Sequence, residues 1–252
     1  MSPAPVQFRH TVDTSPVQER ALAEAAGLGF FGKNTCLIRP KGGSFFFLCT
    51  LITNLALEPD QPILWSCGNC TLCLDACPTG ALPEPFRLDA SRCISSLTIE
   101  HRGPIPADLR SKMGDWVFGC DICQEVCPYN RVAPQEFPAD SPAMLPEKIP
   151  LAQILRCRTE EQFRGLFQGT PLTRPGREGL LRNAAVAAGN LKDESLTSEL
   201  GDCLLHDPSA IVRSHTAWAL GRVNNPAARK ILRQAATDPD AAVRREISQA
   251  LC

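Results

Sequence analysis

The sequence predicts an α+β fold in which a mixed, cysteine-rich N-terminal part is followed by an all-α solenoid. Three observations support this expectation. Eight of the 13 cysteines in the 252-residue chain lie between residues 67 and 127, two β-like runs precede them, and the C-terminal hundred residues repeat a helical motif. Because 44% of the residues are hydrophobic, a disordered chain is disfavoured.

The N-terminal part begins with helix and hairpin signals. Ser15 as N-cap, Pro16 at the first helical position and Gln18 as the capping-box partner predict a helix that ends at Gly27. Two β-like runs, residues 35–39 and 44–53, flank a Pro-Lys-Gly-Gly turn and predict a hairpin. Since the second run lacks polar alternation, we expect it to be buried on both faces, with its three phenylalanines in a core.

The C-terminal part repeats itself. Asp207-Pro208, followed by Val212-Arg213, matches Asp238-Pro239, followed by Val243-Arg244, at an offset of 31 residues. Each unit reads as a pair of helices, and such units stack into a solenoid of the HEAT type. A generic helical bundle that happens to repeat remains the alternative. Residues 131–150 are rich in proline, alanine and acidic residues, which predicts a linker.

The cysteine spacing predicts two iron–sulfur clusters. The run Cys67-x-x-Cys70-x-x-Cys73-x-x-x-Cys77-Pro78 is typical of bacterial ferredoxins, in which the fourth cysteine binds the neighbouring cluster. A second run, from Cys120 through Cys123 to Cys127-Pro128, lacks its first cysteine, and Cys93 lies alone between the runs. By the same crossover we expect one 4Fe-4S cluster on Cys67, Cys70, Cys73 and Cys127, and another on Cys77, Cys93, Cys120 and Cys123.

A zinc site or a disulfide framework would account for fewer of the cysteines. Zinc on Cys67, Cys70, Cys120 and Cys123 would leave four patterned cysteines unexplained. A disulfide framework is disfavoured, because the sequence has neither a secretory signal nor a membrane span and therefore predicts a cytoplasmic protein. The remaining cysteines lack ligand spacing and are expected to be inert: Cys36, Cys49, Cys157, Cys203 and Cys252.

Several motifs together resemble the epoxyqueuosine reductase family. They are Val12-Asp13-Thr14-Ser15-Pro16, the stretches 26–35, 43–48 and 92–100, both cysteine runs, and the region from Gly114 to Asn130. The resemblance implies a cobalamin-dependent enzyme that removes the epoxide oxygen of epoxyqueuosine at the wobble position of tRNA. It further implies that the two clusters feed electrons to the cobalt and that the HEAT-like end holds the tRNA.

The resemblance also implies roles for single residues. Asp13 would be the proton donor, although an aspartate at this point could instead cap the following helix. Asp13, Lys33, Asn34, Leu37, Leu48 and Ser95 would face the cobalamin, although Lys33 could equally be a solvated loop lysine. A periodic basic series would contact tRNA phosphates or form a solvated helix face: Arg182, Arg213, Arg222, Lys230, Arg233, Arg244 and Arg245.

On this basis we expect four segments. Residues 1–60 form the C-terminal portion of a partial cobalamin-binding α/β region, 61–135 a ferredoxin-like double-cluster domain, 136–175 a linker with connecting helices, and 176–252 HEAT-like repeats. Family members carry a substantial segment before the Val-Asp-Thr motif, so we expect the N-terminal part of the cobalamin-binding domain to be absent. Expected partners are epoxyqueuosine-containing tRNA and an unidentified electron donor, with a monomeric chain and no membrane.

Two other functions fit parts of the pattern. An electron-transfer module that docks through its helical repeats would explain the clusters and the solenoid but would leave Asp13 without a role. Another cobalamin and iron–sulfur reductase, such as a reductive dehalogenase, is disfavoured by the cytoplasmic start and the HEAT-like end.

Overall fold

The computed structural model describes residues 5–131 and 149–252. The chain forms two compact units. The first consists of the residues up to Asp89 together with the segment that begins at Asp121, and the second consists of Ala90–Cys120 together with the C-terminal region. Most of the predicted linker, residues 132–148, lies outside the described residues.

In chain order the elements are β1 (Phe8–Thr11), α1 (Glu19–Ala25), β2 (Phe30–Phe31), β3 (Leu37–Ile38), β4 (Thr50–Thr53), α2 (Leu72–Ala76), α3 (Ile94–Ile99), α4 (Ala107–Arg110), α5 (Ile122–Glu125), α6 (Pro128–Arg131), α7 (Leu151–Leu155), α8 (Glu160–Phe167), α9 (Gly176–Leu191), α10 (Thr197–His206), α11 (Ala210–Val223), α12 (Pro226–Gln234) and α13 (Ala241–Leu251). Short 3-10 turns precede α9 and α10. None of the helices in the described ranges is both long and apolar enough to cross a membrane.

The first helix begins later than the sequence predicts. Two tight turns, closed by hydrogen bonds from Thr14 N to Val12 O (2.6 Å) and from Val17 N to Ser15 O (2.7 Å), occupy the predicted first helical turn. Helix α1 therefore starts at Glu19, and no side chain caps it. Its end agrees with the prediction, because Gly27 adopts a left-handed conformation (φ 69°) that few other residues tolerate.

The predicted hairpin is wrong in its pairing. Strand β3 pairs antiparallel with β2, and β4 pairs antiparallel with β1, so that Phe8 lies opposite Thr53. The predicted turn does form, since Arg39 and Gly43 are bridged. Beyond it, however, the backbone N–H of Ser44 donates to Asn130 Oδ1 (2.6 Å) instead of extending the strand.

The three adjacent phenylalanines do not form a core. Phe47 is fully exposed and Phe45 is 48% exposed. The guanidinium of Arg39 lies over the Phe46 ring, 6.0 Å from its centroid. The expectation of a strand buried on both faces is therefore wrong, because the chain leaves the sheet at Ser44.

The second unit has one large core made by α7 to α13. Small and branched apolar side chains fill it, among them Leu180, Leu181, Leu200, Leu204 and Leu220. Side-chain caps start the helices at Ser209, Asn225 and Asp240. The regular alternation of capped helices with buried leucine and alanine faces is the packing expected of stacked helix pairs.

The repeated Asp-Pro…Val-Arg motif closes the junction between consecutive helices. Arg213 donates from Nη1 to the carbonyl oxygens of Asp207 (2.9 Å) and Pro208 (3.2 Å). Arg244 makes the equivalent bonds in the next repeat. These carbonyls lie in the connections between helices, and the arginine of the following helix satisfies them. The sequence repeat is thus a repeated structural device.

Residues 90–120 pack against the helices of the second unit, to which they belong. A smaller core joins Ile94, Leu97 and Ile105 to Val186 of α9. Nδ2 of Asn183 donates to the carbonyls of Thr98 (2.8 Å) and Val117 (2.9 Å). The compact units therefore divide inside the segment 61–135, which the sequence treats as one domain.

Candidate iron–sulfur site

Four cysteines line one cavity in the first unit. Cys67, Cys70, Cys73 and Cys127 line a small cavity of about 40 Å³. The other lining residues are Lys33, Asn34, Ile38, Leu72, Pro128 and Tyr129. Among the described residues, no three Cys, His, Asp or Glu side chains lie close enough to hold a single metal ion. Four thiols that line one cavity are a ligand set that a 4Fe-4S cubane can use, as the ferredoxin-type spacing of the first run predicts.

Short helices bring the two cysteine runs to this cavity. The backbone N–H of Cys70 donates to the carbonyl of Cys67 (3.1 Å), which closes the first turn, and α2 follows directly. Helix α2 packs against α5, from which the chain turns through Cys127 into α6. Cys127 is buried against Phe30 and Ile38. The spacing of the first run and the packing of α2 on α5 together direct the thiols inward.

The burial of these thiols affects their protonation. Burial, reinforced by Cys123 and Cys67 nearby, raises the pKa of Cys73 to about 11. Burial also raises the pKa of Cys127. Since cluster iron binds thiolates, Cys73 and Cys127 must release their protons when a cluster binds.

The loop between β2 and β3 contacts both cysteine runs. The backbone N–H of Lys33 lies 3.4 Å from Cys67 Sγ, and Lys33 Nζ donates to the carbonyls of Gly68 (2.8 Å) and Cys70 (2.9 Å). Nδ2 of Asn34 donates to the carbonyl of Cys123 (3.2 Å). This loop therefore holds the cysteine segments in place.

The second predicted ligand set is divided between the two units. In the first unit Cys77 Sγ accepts the backbone N–H of Ala81 (3.3 Å). In the second unit Cys93 precedes α3, and Cys120 packs against the smaller core. The assignment of Cys77, Cys93, Cys120 and Cys123 to one cluster remains a prediction from sequence spacing.

Cys36 has a neighbour that its sequence context did not indicate. Its thiol lies beside that of Cys123. This interaction lowers the pKa of Cys36 and raises that of Cys123. A ninth cysteine thus lies beside the second run. No spacing signal could reveal it, because the contact joins residues 87 positions apart.

Asp13 lies in the turn after β1. It is exposed, has a left-handed backbone (φ 53°), and its N–H donates to the Glu19 carboxylate (2.8 Å). An aspartate tolerates this conformation better than most residues. Because α1 starts six residues later without a side-chain cap, the capping role considered for Asp13 is wrong. Its role as proton donor remains a prediction.

The residues implied for cobalamin lie in both units of the chain. The ammonium of Lys33 and the amide of Asn34 bond the cysteine segments, and Leu37 is buried in β3. Leu48 is half-buried in the first unit, whereas Ser95 lies in α3 of the second unit. Their role in binding cobalamin remains a prediction.

Two members of the predicted basic series bond other groups of the protein and do not face solvent. Arg182 is 1% exposed and donates to the carbonyls of Leu97, His101 and Gly103 at 2.6–2.9 Å. Arg213 forms a two-point pair with Asp238 (2.8 and 3.1 Å). The expectation that these two face tRNA is wrong, because helix periodicity does not reveal a buried arginine. Exposed members of the series are Arg222, Lys230, Arg233, Arg244 and Arg245.

Known families match both parts of the chain. Residues 66–130 match the 4Fe-4S double cluster binding domain, and residues 176–252 match HEAT repeats. These matches and the cysteine-lined cavity define a double-cluster iron–sulfur protein with a HEAT-repeat C-terminal region. The predicted fold class, a mixed cluster-binding part followed by a helical solenoid, is confirmed.

Whole-chain comparisons narrow this class to one family. The chain is 47% identical over 221 residues to the epoxyqueuosine reductase of Pseudomonas aeruginosa, covering 86% of this chain and 61% of that protein. The structure of the Bacillus subtilis epoxyqueuosine reductase, with its catalytic aspartate loop swung out of the active site, matches at a TM-score of 0.88 and 36% identity over 99% of this chain and 66% of that one.

The chain also matches the structure of an epoxyqueuosine reductase with an epoxyqueuosine-modified tRNA-Tyr stem loop. The TM-score is 0.86 and the identity is 37%, and the match covers 98% of this chain and 66% of that one. The chain belongs to the epoxyqueuosine reductase family. It spans about three fifths of the length of the curated relatives it matches.

Proposed function

We propose that this chain acts in the reduction of epoxyqueuosine to queuosine at the wobble position of tRNA, with its two clusters as the electron path. The observation that carries the proposal is the convergence of Cys67, Cys70, Cys73 and Cys127 on one cavity, within the segment that matches double-cluster domains. Family membership supplies the substrate, since a relative is known with an epoxyqueuosine-modified stem loop.

The ligand sets follow the ferredoxin crossover. We assign Cys67, Cys70, Cys73 and Cys127 to one 4Fe-4S cluster. Sequence spacing supports the assignment of the remaining four patterned cysteines to the other: Cys77, Cys93, Cys120 and Cys123. When loaded, the clusters supply one-electron transfer.

The overall reaction needs two electrons and two protons, and the epoxide oxygen leaves as water. We assign the delivery of one proton to Asp13, because cleaving a C–O bond leaves an alkoxide that a carboxylic acid can protonate. Cobalamin enters the proposal through family membership alone, as the acceptor of the cluster electrons. Ser95 and the loop from Leu37 to Leu48 are the segments that the resemblance aligns with it.

The partners follow from the same reasoning. The exposed basic residues of α12 and α13, namely Lys230, Arg233, Arg244 and Arg245, suit contacts with RNA phosphates. A low-potential one-electron donor must supply the electrons. We propose a cytoplasmic setting, because unpaired cysteines and iron–sulfur clusters require a reducing compartment.

Turnover of a defined RNA tests this proposal. The anaerobically reconstituted chain is mixed with an epoxyqueuosine-containing anticodon stem loop, titanium(III) citrate and cobalamin, and queuosine is measured by mass spectrometry. We expect queuosine only when cobalamin is added, and a loss of most activity in Asp13→Asn without loss of iron. Glu58→Gln, at an exposed carboxylate of the same unit, is the matched control.

Turnover without cobalamin would contradict the cofactor assignment. A cluster-loaded chain that neither binds nor converts the stem loop would favour the alternative of an electron-transfer module that docks through its repeats.

A further inference from the structure

We infer that Lys33 is a positioning residue that raises the reduction potential of the cluster on Cys67, Cys70, Cys73 and Cys127. The inference rests on the cluster assignment proposed above. It gives Lys33 a role different from a cobalamin contact or a solvated loop lysine.

The ammonium group of Lys33 bridges the first cysteine turn. Lys33 Nζ donates to the carbonyls of Gly68 (2.8 Å) and Cys70 (2.9 Å), so one positive charge bonds two carbonyls of the turn that begins at Cys67. Gly68 adopts a left-handed φ of 52° in this turn, a conformation that glycine tolerates.

The backbone of Lys33 also reaches the site. Its N–H lies 3.4 Å from Cys67 Sγ, within the range of an N–H···S hydrogen bond, and Lys33 also lines the cysteine cavity. The residue thus approaches the cluster position from both its main chain and its side-chain tip. Gly32 and Asn34 fix this approach, since Gly32 N bonds the carbonyl of Cys36 (2.8 Å) and Asn34 bonds that of Cys123.

The charge and the N–H donor both favour a reduced cluster. A cluster gains a negative charge when it accepts an electron, and both a nearby cation and an N–H donor to a ligand sulfur stabilise the reduced form more than the oxidised form. Lys33 is half-buried and its ammonium group is bonded to two backbone carbonyls, so its charge is only partly screened by solvent. Removing it should make reduction of this cluster harder.

Redox titration followed by electron paramagnetic resonance tests the inference, with iron content measured in parallel. The variants are Lys33→Met, which removes the charge and keeps the aliphatic stem, and Lys33→Arg, which keeps the charge. Lys41→Met is the matched control, because Lys41 is exposed in the turn after β3 and lines a different groove.

We expect Lys33→Met to shift the midpoint potential of one cluster to a more negative value and to leave the other unchanged. Lys33→Arg should shift it less, and Lys41→Met should not shift it. If Lys33→Met instead loses one cluster while Lys33→Arg keeps both, the positioning role is supported directly.

Equal potentials in the unsubstituted chain and in Lys33→Met, with full iron in both, would overturn the inference. So would a parallel shift of both clusters, because that result indicates a general charge effect. A chain that binds no cluster at all would instead overturn the proposed function, so the two failures can be told apart.

Discussion

His215 makes the stability of the helical unit depend on pH. Its side chain is fully buried, Nε2 accepts the backbone N–H of Ile105 (3.0 Å), and Nδ1 lies 2.7 Å from the carbonyl of Ile211. This arrangement requires neutral imidazole with its proton on Nδ1. Burial, together with the positive charges of Arg110 and Arg182, lowers the pKa of His215 to about 3.

The sign and size of the effect follow from linkage. Because the pKa is lower in the folded state than in the unfolded state, unfolding takes up a proton below about pH 6.5. The contribution of neutral His215 to the stability of the folded state is therefore fully present above that pH. It is lost as the pH falls towards 3. Integration gives a loss of about 1.4 kcal/mol between pH 7.5 and pH 5.5, and about 5 kcal/mol if the full shift were titrated.

Urea unfolding at pH 7.5 and pH 5.5, followed by far-ultraviolet circular dichroism, measures this loss. His215→Gln is the comparison, since glutamine can accept from Ile105 and donate to Ile211 but does not titrate. We expect the unsubstituted chain to lose about 1.4 kcal/mol more than the variant between the two pH values. A parallel decline in both proteins would refute the assignment of a buried neutral histidine.

Three further substitutions test other parts of the structure. Arg182→Ala should lower the free energy of unfolding, measured with urea, by about 3–5 kcal/mol, because it leaves several buried carbonyls unpaired. As a control, Arg233→Ala at an exposed position should lower it by less than about 0.5 kcal/mol. Gly189→Ala should lower the free energy of unfolding by about 1–3 kcal/mol, because the added Cβ would lie 2.7 Å from the Trp218 ring. An unchanged melting temperature would contradict this close helix packing. Cys36→Ala should keep both clusters in an iron assay, because Cys36 lies beside the predicted ligand Cys123 and has no ligand spacing of its own; loss of half the iron would make it a ligand.

The sequence predicts well the parts of the structure that form between residues close together in the chain. The first cysteine run forms its turn and helix from adjacent residues, so its inward-facing thiols follow from the order of the chain. The Asp-Pro…Val-Arg repeat is predictable for the same reason, because Arg213 bonds carbonyls five and six residues before it.

Contacts between distant residues account for the errors. The run after the Pro-Lys-Gly-Gly turn does not pair with β3, because Ser44 bonds Asn130 and Gln124, 80 or more residues away. Arg182 has the spacing of a surface arginine, yet it is buried by a loop 79–85 residues earlier in the chain. Lys33 gains its role from Gly68 and Cys70 in the same way. Periodicity indicates on which face of a helix a residue lies, but it does not indicate which other segment packs against that face.

The crossover of the two cysteine runs is the central claim, and iron analysis of Cys127→Ser tests it most directly. Cys127 comes from the second run but lines the cavity of the first. We predict that the unsubstituted chain and the exposed-cysteine control Cys49→Ser carry about eight iron and eight sulfide ions, as two cubanes require. Cys127→Ser should lose or destabilise one cluster while the other keeps its resonance signal. Full retention of both signals at unchanged potentials in Cys127→Ser, or zinc in place of iron in the unsubstituted chain, would contradict the crossover.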